Sequence, residues 1–277
     1  SSLLLEAALW GCEPEGLPLL ELPPAANLLA GRRLLQQLEA LDDQHHLTPR
    51  GRLMARLPCH PRLAHLLLCA ADLEQDGLDG VLDEACYLVA LLEEEKRGAD
   101  RLSSLLVRYG SALKPQAQRW RERLSQLLPA LSRKSVGTAS VGNWLGLLAA
   151  LAWPDRIGKL RSGSRYQLSG GQSADLAPDH SLTGRDWLVG VDPSLSAEGI
   201  RLYQAEAVDL PVLQRYLPEL FSRESWFGWD EREGRVRAEQ QVRLGSIVLE
   251  RQPLANLSDE QKALCLRMNA SRGRKYA

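Results

Sequence analysis

The chain has 277 residues, 44% of them hydrophobic but only 5% aromatic, and a net charge of −1. That is apolar material for about two ordinary domains of roughly 100 to 200 residues each, packed in the first half through leucines on helices, and it excludes a non-globular chain. Five cysteines (Cys12, Cys59, Cys69, Cys86, Cys265), odd in number and scattered through Leu/Ala-rich stretches, read as reduced thiols in a cytoplasmic protein, and no apolar run approaches a membrane span.

From Leu3 to Trp10 the pattern predicts a short helix; as a secretory core it is too short, has no basic lead-in and carries Glu6. Pro24 suits the first turn of a second helix, on which Leu28, Leu29, Leu34, Leu35, Leu38 and Leu41 recur at helical spacing. Asp42-Asp43-Gln44-His45-His46 is a polar turn. Thr48 then reads as an N-cap with Pro49 at the first helical position and Leu53, Met54 and Leu57 on one face. Short helices joined by a polar hairpin predict a winged-helix domain over 1–58.

Pro61 opens a helix striped by Leu63, Leu66, Leu67 and Ala70. Further helices are expected at roughly 81–95, 100–109, 115–131 and 139–152, with Gly80, Gly98, Gly110 and Gly137 as punctuation, giving a helical bundle over 59–152. At Trp153-Pro154 the composition shifts to β-type runs. Arg165 to Leu168 and Asp175 to Leu176 flank a Gly170-Gly171 turn; Trp187 to Val191, Ile200 to Glu206, Ser225 to Trp229, Arg235 to Val242 and Ser246 to Glu250 follow. Glu231 to Gly234 reads as a hairpin turn, and a helix from about Leu210 to Leu220 interrupts the strands. The whole stretch, with a basic tail, predicts one small barrel of the oligonucleotide-binding type over 153–277. The fold class is therefore α+β and multidomain: winged helix, all-α bundle, then an OB-like β-barrel.

Charge is unevenly distributed along this plan. Residues 1–100 carry 8 Lys/Arg against 17 Asp/Glu, residues 101–174 carry 12 against 2, and residues 175–277 carry 14 against 16. Only Glu122 and Asp155 are acidic in the middle block, so its natural partner is a polyanion.

The segment from Leu47-Thr48-Pro49-Arg50-Gly51-Arg52-Leu53-Met54-Ala55 to Arg56-Leu57-Pro58 resembles the winged-helix signature of DEAH-box helicases. His60-Pro61-Arg62-Leu63-Ala64-His65-Leu66-Leu67 and Leu82-Asp83-Glu84-Ala85 are similar to the helicase-associated ratchet domain that follows it. Trp153-Pro154-Asp155-Arg156-Ile157 with Arg165-Tyr166, and Arg243-Leu244-Gly245 with Glu250-Arg251-Gln252-Pro253-Leu254, resemble the start and finish of the C-terminal barrel in bacterial HrpB-type members. The resemblance covers most of the chain and implies an accessory region in which ratchet and barrel enclose an exiting strand. The family's motor is missing from this sequence. No Gly-x-x-x-x-Gly-Lys-Ser/Thr loop is present, the Gly158-Lys159 pair is followed by Leu160, and Asp43-Gln44-His45-His46 lacks the acidic second residue of a DEAH box. Family members also continue beyond the barrel, so the chain is expected to be a fragment or a shortened relative, with ATP and Mg bound only by RecA-like motor domains of the parent.

The candidate nucleic-acid-binding residues come from the basic block: Arg119, Arg123, Arg133, Lys134, Arg156, Lys159, Arg161 and Arg165, with Arg121 among them in sequence. Such cations neutralise phosphates, while Trp120, Trp144, Trp153 and Tyr166 are interleaved aromatics; Trp144 and Trp153 read as core, and Tyr166 is the stacking candidate. Arg50, Arg52, Arg56 and Arg62, at the junction of winged helix and ratchet, are candidates for docking the motor. Cys59-His60 with His65 and Cys69 matches no common zinc spacing. Asp179-His180-Ser181 lies in a Pro/Gly-rich loop without a nucleophile elbow, and Glu93-Glu94-Glu95 is more simply a solvated helix end. The expectation is a non-catalytic module that guides single-stranded RNA, or DNA, in a groove between ratchet and barrel. The alternative is a protein-interaction module docking on an acidic partner surface.

Overall fold

The computed structural model describes residues 1–17, 21–94, 99–131, 136–137, 144–197, 199–230 and 235–254. At the N-terminus α1 (Ser2–Trp10) packs on α2 (Ala25–Gln37), and the chain reverses at the polar turn read from the sequence. The Asp42 carboxylate builds that turn by accepting from the backbone N–H of Gln44 (2.9 Å) and of His46 (2.8 Å), and Leu41 pairs with Leu47 as an antiparallel bridge. Thr48 caps α3 (Pro49–Met54): its hydroxyl accepts from the Gly51 N–H at 2.9 Å, satisfying one of the donors a helix start leaves open.

The bundle follows as α4 (Pro61–Gln75), α5 (Val81–Glu93), α6 (Leu102–Leu127) and α7 (Leu145–Ala152). Where two helices were expected at 100–109 and 115–131, α6 is one helix with Pro115 inside it. Its apolar stripe explains this. Leu102, Leu105, Leu106, Leu113, Ala117, Trp120 and Leu124 are all buried and stay in phase across Gly110 and Pro115, so packing outweighs the local cost of both residues. Every residue of α7 but Gly146 is buried, since α7 lies between the bundle and the strands that follow. There the Gly146 position leaves no room for a side chain: a Cβ would stand 2.3 Å from the Ala207 carbonyl oxygen.

Strands β1 (Ile157–Ser162), β2 (Arg165–Leu168), β3 (Ser173–Leu176), β4 (Trp187–Ser196) and β5 (Gly199–Ala207) close into a barrel in the order β1-β2-β3-β5-β4. The β3–β5 pair is parallel and the others antiparallel. Strand β1, which carries Lys159 and Arg161, was not expected as a strand. Alternation fills the interior with Tyr166, Leu168, Ala174, Leu176, Leu188, Leu202 and Ala205, while Ile157, Val189 and Val191 point outward into the main core shared with the helices.

The remaining strands are not part of this barrel. After α8 (Leu210–Tyr216), β6 (Phe221–Asp230), β7 (Arg235–Leu244) and β8 (Ile247–Pro253) form a separate three-stranded antiparallel sheet. The single barrel expected over 153–277 is corrected accordingly: β1 and β4 pair with each other, so the barrel has no free edge for β6 to extend. The sheet is fastened at the β7–β8 turn, where Ser246 donates to the carbonyls of Leu168 and Ser169. Among the described residues no helix is long and apolar enough to cross a membrane.

Candidate nucleic-acid interface

Arg119 and Arg123 stand four residues apart on α6 and so share one exposed face. The Arg123 guanidinium lies 5.6 Å from the centroid of the Trp120 ring, and the buried Trp120 indole N–H donates to Glu93 at 2.9 Å. Together with Pro58, Gln116 and the acidic Glu122 they line an open cleft of about 420 Å³.

A second cavity, about 530 Å³, lies between bundle and barrel. Leu63, Leu91, Leu102, Leu105 and Trp153 form its apolar wall; His60, Arg62, Arg156, Asp192 and Gln204 supply its polar groups. Arg156 is fixed by donating to the Val191 carbonyl at 2.9 Å. The two spaces share a partition, for Pro58 and Glu93 face the first while His60 and Leu92 face the second. Between them the Cys59 thiol is pushed up to about 12, chiefly by burial and then by Glu93, with Arg123 opposing. It is an inert thiol. His60 is held below the usual histidine range by burial and then by Arg62, the N-terminus and Arg156, so it adds no charge near neutrality.

The barrel cations lie elsewhere. Lys159 sits on the outer side of β1 with its ammonium 5.5 Å from the Trp187 ring centroid; Arg161 is exposed at the end of the same strand. Arg165 faces its register partner Asp175 at 3.9 Å. None of these three lines either cleft. The basic block thus divides into a cleft group, Arg119, Arg123 and Arg156, and an outer-barrel group.

Several candidate roles are corrected by burial. Tyr166 cannot stack on a base: it is inside the barrel, and its hydroxyl donates to the backbone carbonyls of Arg185 (2.8 Å) and Leu182 (3.3 Å). Arg62 is not available to a motor domain, because its guanidinium is buried against Asp155. Arg50 is half-buried and turned inward to Asp72 and the Cys69 sulfur. Arg121 is fully buried with Glu74 and Asp83. Arg52 and Arg56 are exposed, and Arg133 and Lys134 lie outside the described residues. His65 and Cys69 do meet, at 3.4 Å, yet among the described residues no group of three His, Cys, Asp or Glu side chains could hold a metal. At 179–181 the His180 ring is buried and accepts from the Leu182 N–H, an internal role rather than a catalytic one.

Asp192 and Gln204 were missed by sequence reasoning, since nothing in a strand pattern marks which outward positions border a cavity. His60 was read as a motif position and weighed as a zinc ligand, whereas its place before Pro61 makes it the α4 N-cap.

Comparison with known proteins bears on this arrangement. Residues 32–59 match the model of the winged-helix helicase associated domain (HA2), and residues 220–254 match the connector region of ATP-dependent RNA helicase HrpB. The chain is 33% identical over 266 residues to ATP-dependent RNA helicase HrpB of Escherichia coli, covering 94% of this chain and 31% of that protein. It is also 34% identical over 88 residues to the pre-mRNA-splicing factor ATP-dependent RNA helicase prp22 of Schizosaccharomyces pombe, covering 28% of this chain and 7% of that one. A crystal structure of the E. coli DExH-box NTPase HrpB superposes with a TM-score of 0.79 at 31% identity, over 97% of this chain and 32% of the other. A second, of the E. coli DEAH/RHA helicase HrpB, gives 0.77 at 30% identity, over 95% of this chain and 32% of the other.

Proposed function

We propose, from the premise that this chain belongs to the HrpB-type DEAH-box helicases as a C-terminal region, that it guides single-stranded RNA for an ATP-dependent motor. Residues 1–58 act as the winged helix, 59–152 as the ratchet and the following barrel as an oligonucleotide-binding wall. The strand order β1-β2-β3-β5-β4 supports the last assignment, and the sheet matching the connector region is a separate element. Triphosphate and Mg chemistry are assigned to RecA-like motor domains of the parent protein, with Arg52 and Arg56 as exposed cations for docking them.

The observation that carries this reading is the pair of adjoining clefts. One carries Arg119 and Arg123 on α6 and the other Arg156 at the bundle–barrel junction, all three from a segment with 12 basic residues against 2 acidic ones. Of those two acids, Asp155 is occupied by Arg62, while Glu122, which accepts from Gln118, lines the first cleft together with Glu93, whose carboxylate accepts from the Trp120 N–H. The strand is therefore held mainly by its phosphates, with Lys159, Arg161 and Arg165 as a weaker outer contact.

Fluorescence anisotropy with short single-stranded RNA across a salt series tests this. Log affinity falls linearly with log salt, and each of Arg119→Ala, Arg123→Ala and Arg156→Ala lowers the slope by about 0.7, the value for one phosphate contact on a single strand. An alanine triple at Lys159, Arg161 and Arg165 lowers it less. Slopes unchanged in all the variants would place the strand elsewhere and favour docking on an acidic protein surface.

A further inference from the structure

The cavity between bundle and barrel sets an apolar wall against a polar one, which a phosphate track alone does not need. Its wall is leucine and Trp153, and its volume of about 530 Å³ falls in the range of pockets that enclose small ligands, roughly 300–1,000 Å³. Two of its polar groups come from neighbouring strands of the barrel. Asp192 and Gln204 are register partners on β4 and β5, at a point where the pairing is irregular on both sides of Asp192. Bulges of this kind re-aim side chains, and here Asp192 and Gln204 both border the cavity with Arg156. A carboxylate acceptor and an amide, which both donates and accepts, beside an apolar wall match the edge of a planar heterocycle, whose faces prefer apolar and aromatic contact.

We propose that this cavity receives one unpaired nucleobase of the guided strand. The proposal rests on the phosphate-track reading and deepens it. The neighbouring cleft with Arg119 and Arg123 holds backbone phosphates, the strand crosses the Pro58–His60 partition, and one base turns inward against Trp153. Asp192 and Gln204 meet its edge, while Arg156 beside them holds the phosphate of that nucleotide. All four bases offer an N–H donor and a ring or carbonyl acceptor, so this contact holds a base without choosing its identity.

Two measurements test it. The first compares a short RNA oligonucleotide with an oligomer of the same length in which every base is absent and every phosphate kept. Wild-type chain binds the abasic oligomer roughly five- to tenfold more weakly, toward the low end of what stacking one base is worth, with an unchanged salt slope. Leu92→Trp, which fills the cavity from its half-buried rim, binds both oligomers alike. The second maps photo-crosslinks from an oligonucleotide containing 5-iodocytidine on unmodified protein, with an adduct expected on Trp153. Equal binding of both oligomers by the wild type, discrimination retained by Leu92→Trp, or adducts confined to other aromatic residues each overturn the base pocket while leaving the phosphate track standing. Loss of salt-dependent binding altogether removes both.

Discussion

Arg62, in the first turn of α4, and Asp155, in the turn that leads into the barrel, close a two-pronged ion pair with N–O distances of 2.6 and 2.9 Å. Arg62 also donates to the Ala152 carbonyl at 2.9 Å, so one side chain ties the bundle's start to its finish and to the barrel. Burial alone would raise the Asp155 pKa; the Arg62 hydrogen bond and charge, then Arg156, outweigh it and hold the carboxyl below its ordinary 3.8. A folded-state value below the unfolded one means that the pair's stabilisation is complete above that pH and is lost as pH falls below it. Arg62→Ala should cost about 3 kcal/mol in urea unfolding, because it strands a largely buried carboxylate and a carbonyl together. Asp155→Asn should flatten the acid limb; an Arg62→Ala variant as stable as wild type would show that the junction is held by packing alone.

This pair also shows what a sequence can and cannot display. The Thr48 cap, the Asp42 turn and the stripe of α4 depend on residues within a few positions of one another, so they are legible in order. Arg62 and Asp155 are 93 positions apart, and no local pattern distinguishes an arginine bound for burial from one on the surface. The same limit joined β6–β8 to the barrel, because alternation marks strands and not their partners. Gly110 and Pro115 suggested a break in α6 that long-range packing overrides. In the candidate site the excess of basic residues was legible, whereas its division into a cleft group and an outer-barrel group required the fold.

His65 makes the pH dependence testable on the other side of α4. Burial first, then the charge of Arg50, lowers its pKa to about 4, with a backbone hydrogen bond to Leu38 opposing. The unfolded chain takes up this proton near 6.5 and the folded one does not, so stability is flat above 6.5 and declines as pH falls toward 4. The loss attributable to this residue is on the order of 3 kcal/mol over that window. Denaturant midpoints for His65→Gln, followed from pH 7 to pH 4.5, should fall less steeply than wild type, by about one proton; identical slopes would mean that the ring is protonated in place.

Inside the bundle Arg121 joins Glu74 at 2.5 Å and Asp83 at 3.3 Å while only 1% of its side chain is exposed. Its Nε and Nη1 atoms have no hydrogen-bond partner within the described structure. An incompletely satisfied buried cation stabilises little by its presence, yet becomes costly when a partner is removed. Glu74→Ala should therefore destabilise by about 3 kcal/mol, whereas the pair Arg121→Met with Glu74→Leu should cost less than Glu74→Ala alone. Calorimetric or urea midpoints in the opposite order would show that the ionic cluster is a net source of stability.

Gly51 is the residue of the winged-helix segment whose identity the backbone dictates most directly. It lies within α3, where exchange to alanine ordinarily favours a helix by about 1 kcal/mol. Here a Cβ would stand 2.2 Å from the Ala40 carbonyl oxygen and 2.8 Å from a Leu47 methyl. That carbonyl already accepts from the Thr48 N–H at 3.1 Å, so it cannot retreat without loosening the cap of the same helix. Overpacking against backbone costs about 1–3 kcal/mol or more, enough to reverse the helical gain. Gly51→Ala should accordingly lower the unfolding midpoint, while Arg52→Ala, at the exposed neighbouring position, should leave it within about 0.5 kcal/mol. A Gly51→Ala protein as stable as wild type would mean that α3 can move off the 40–48 turn, and that the close approach of helix to turn does not set the geometry of this domain.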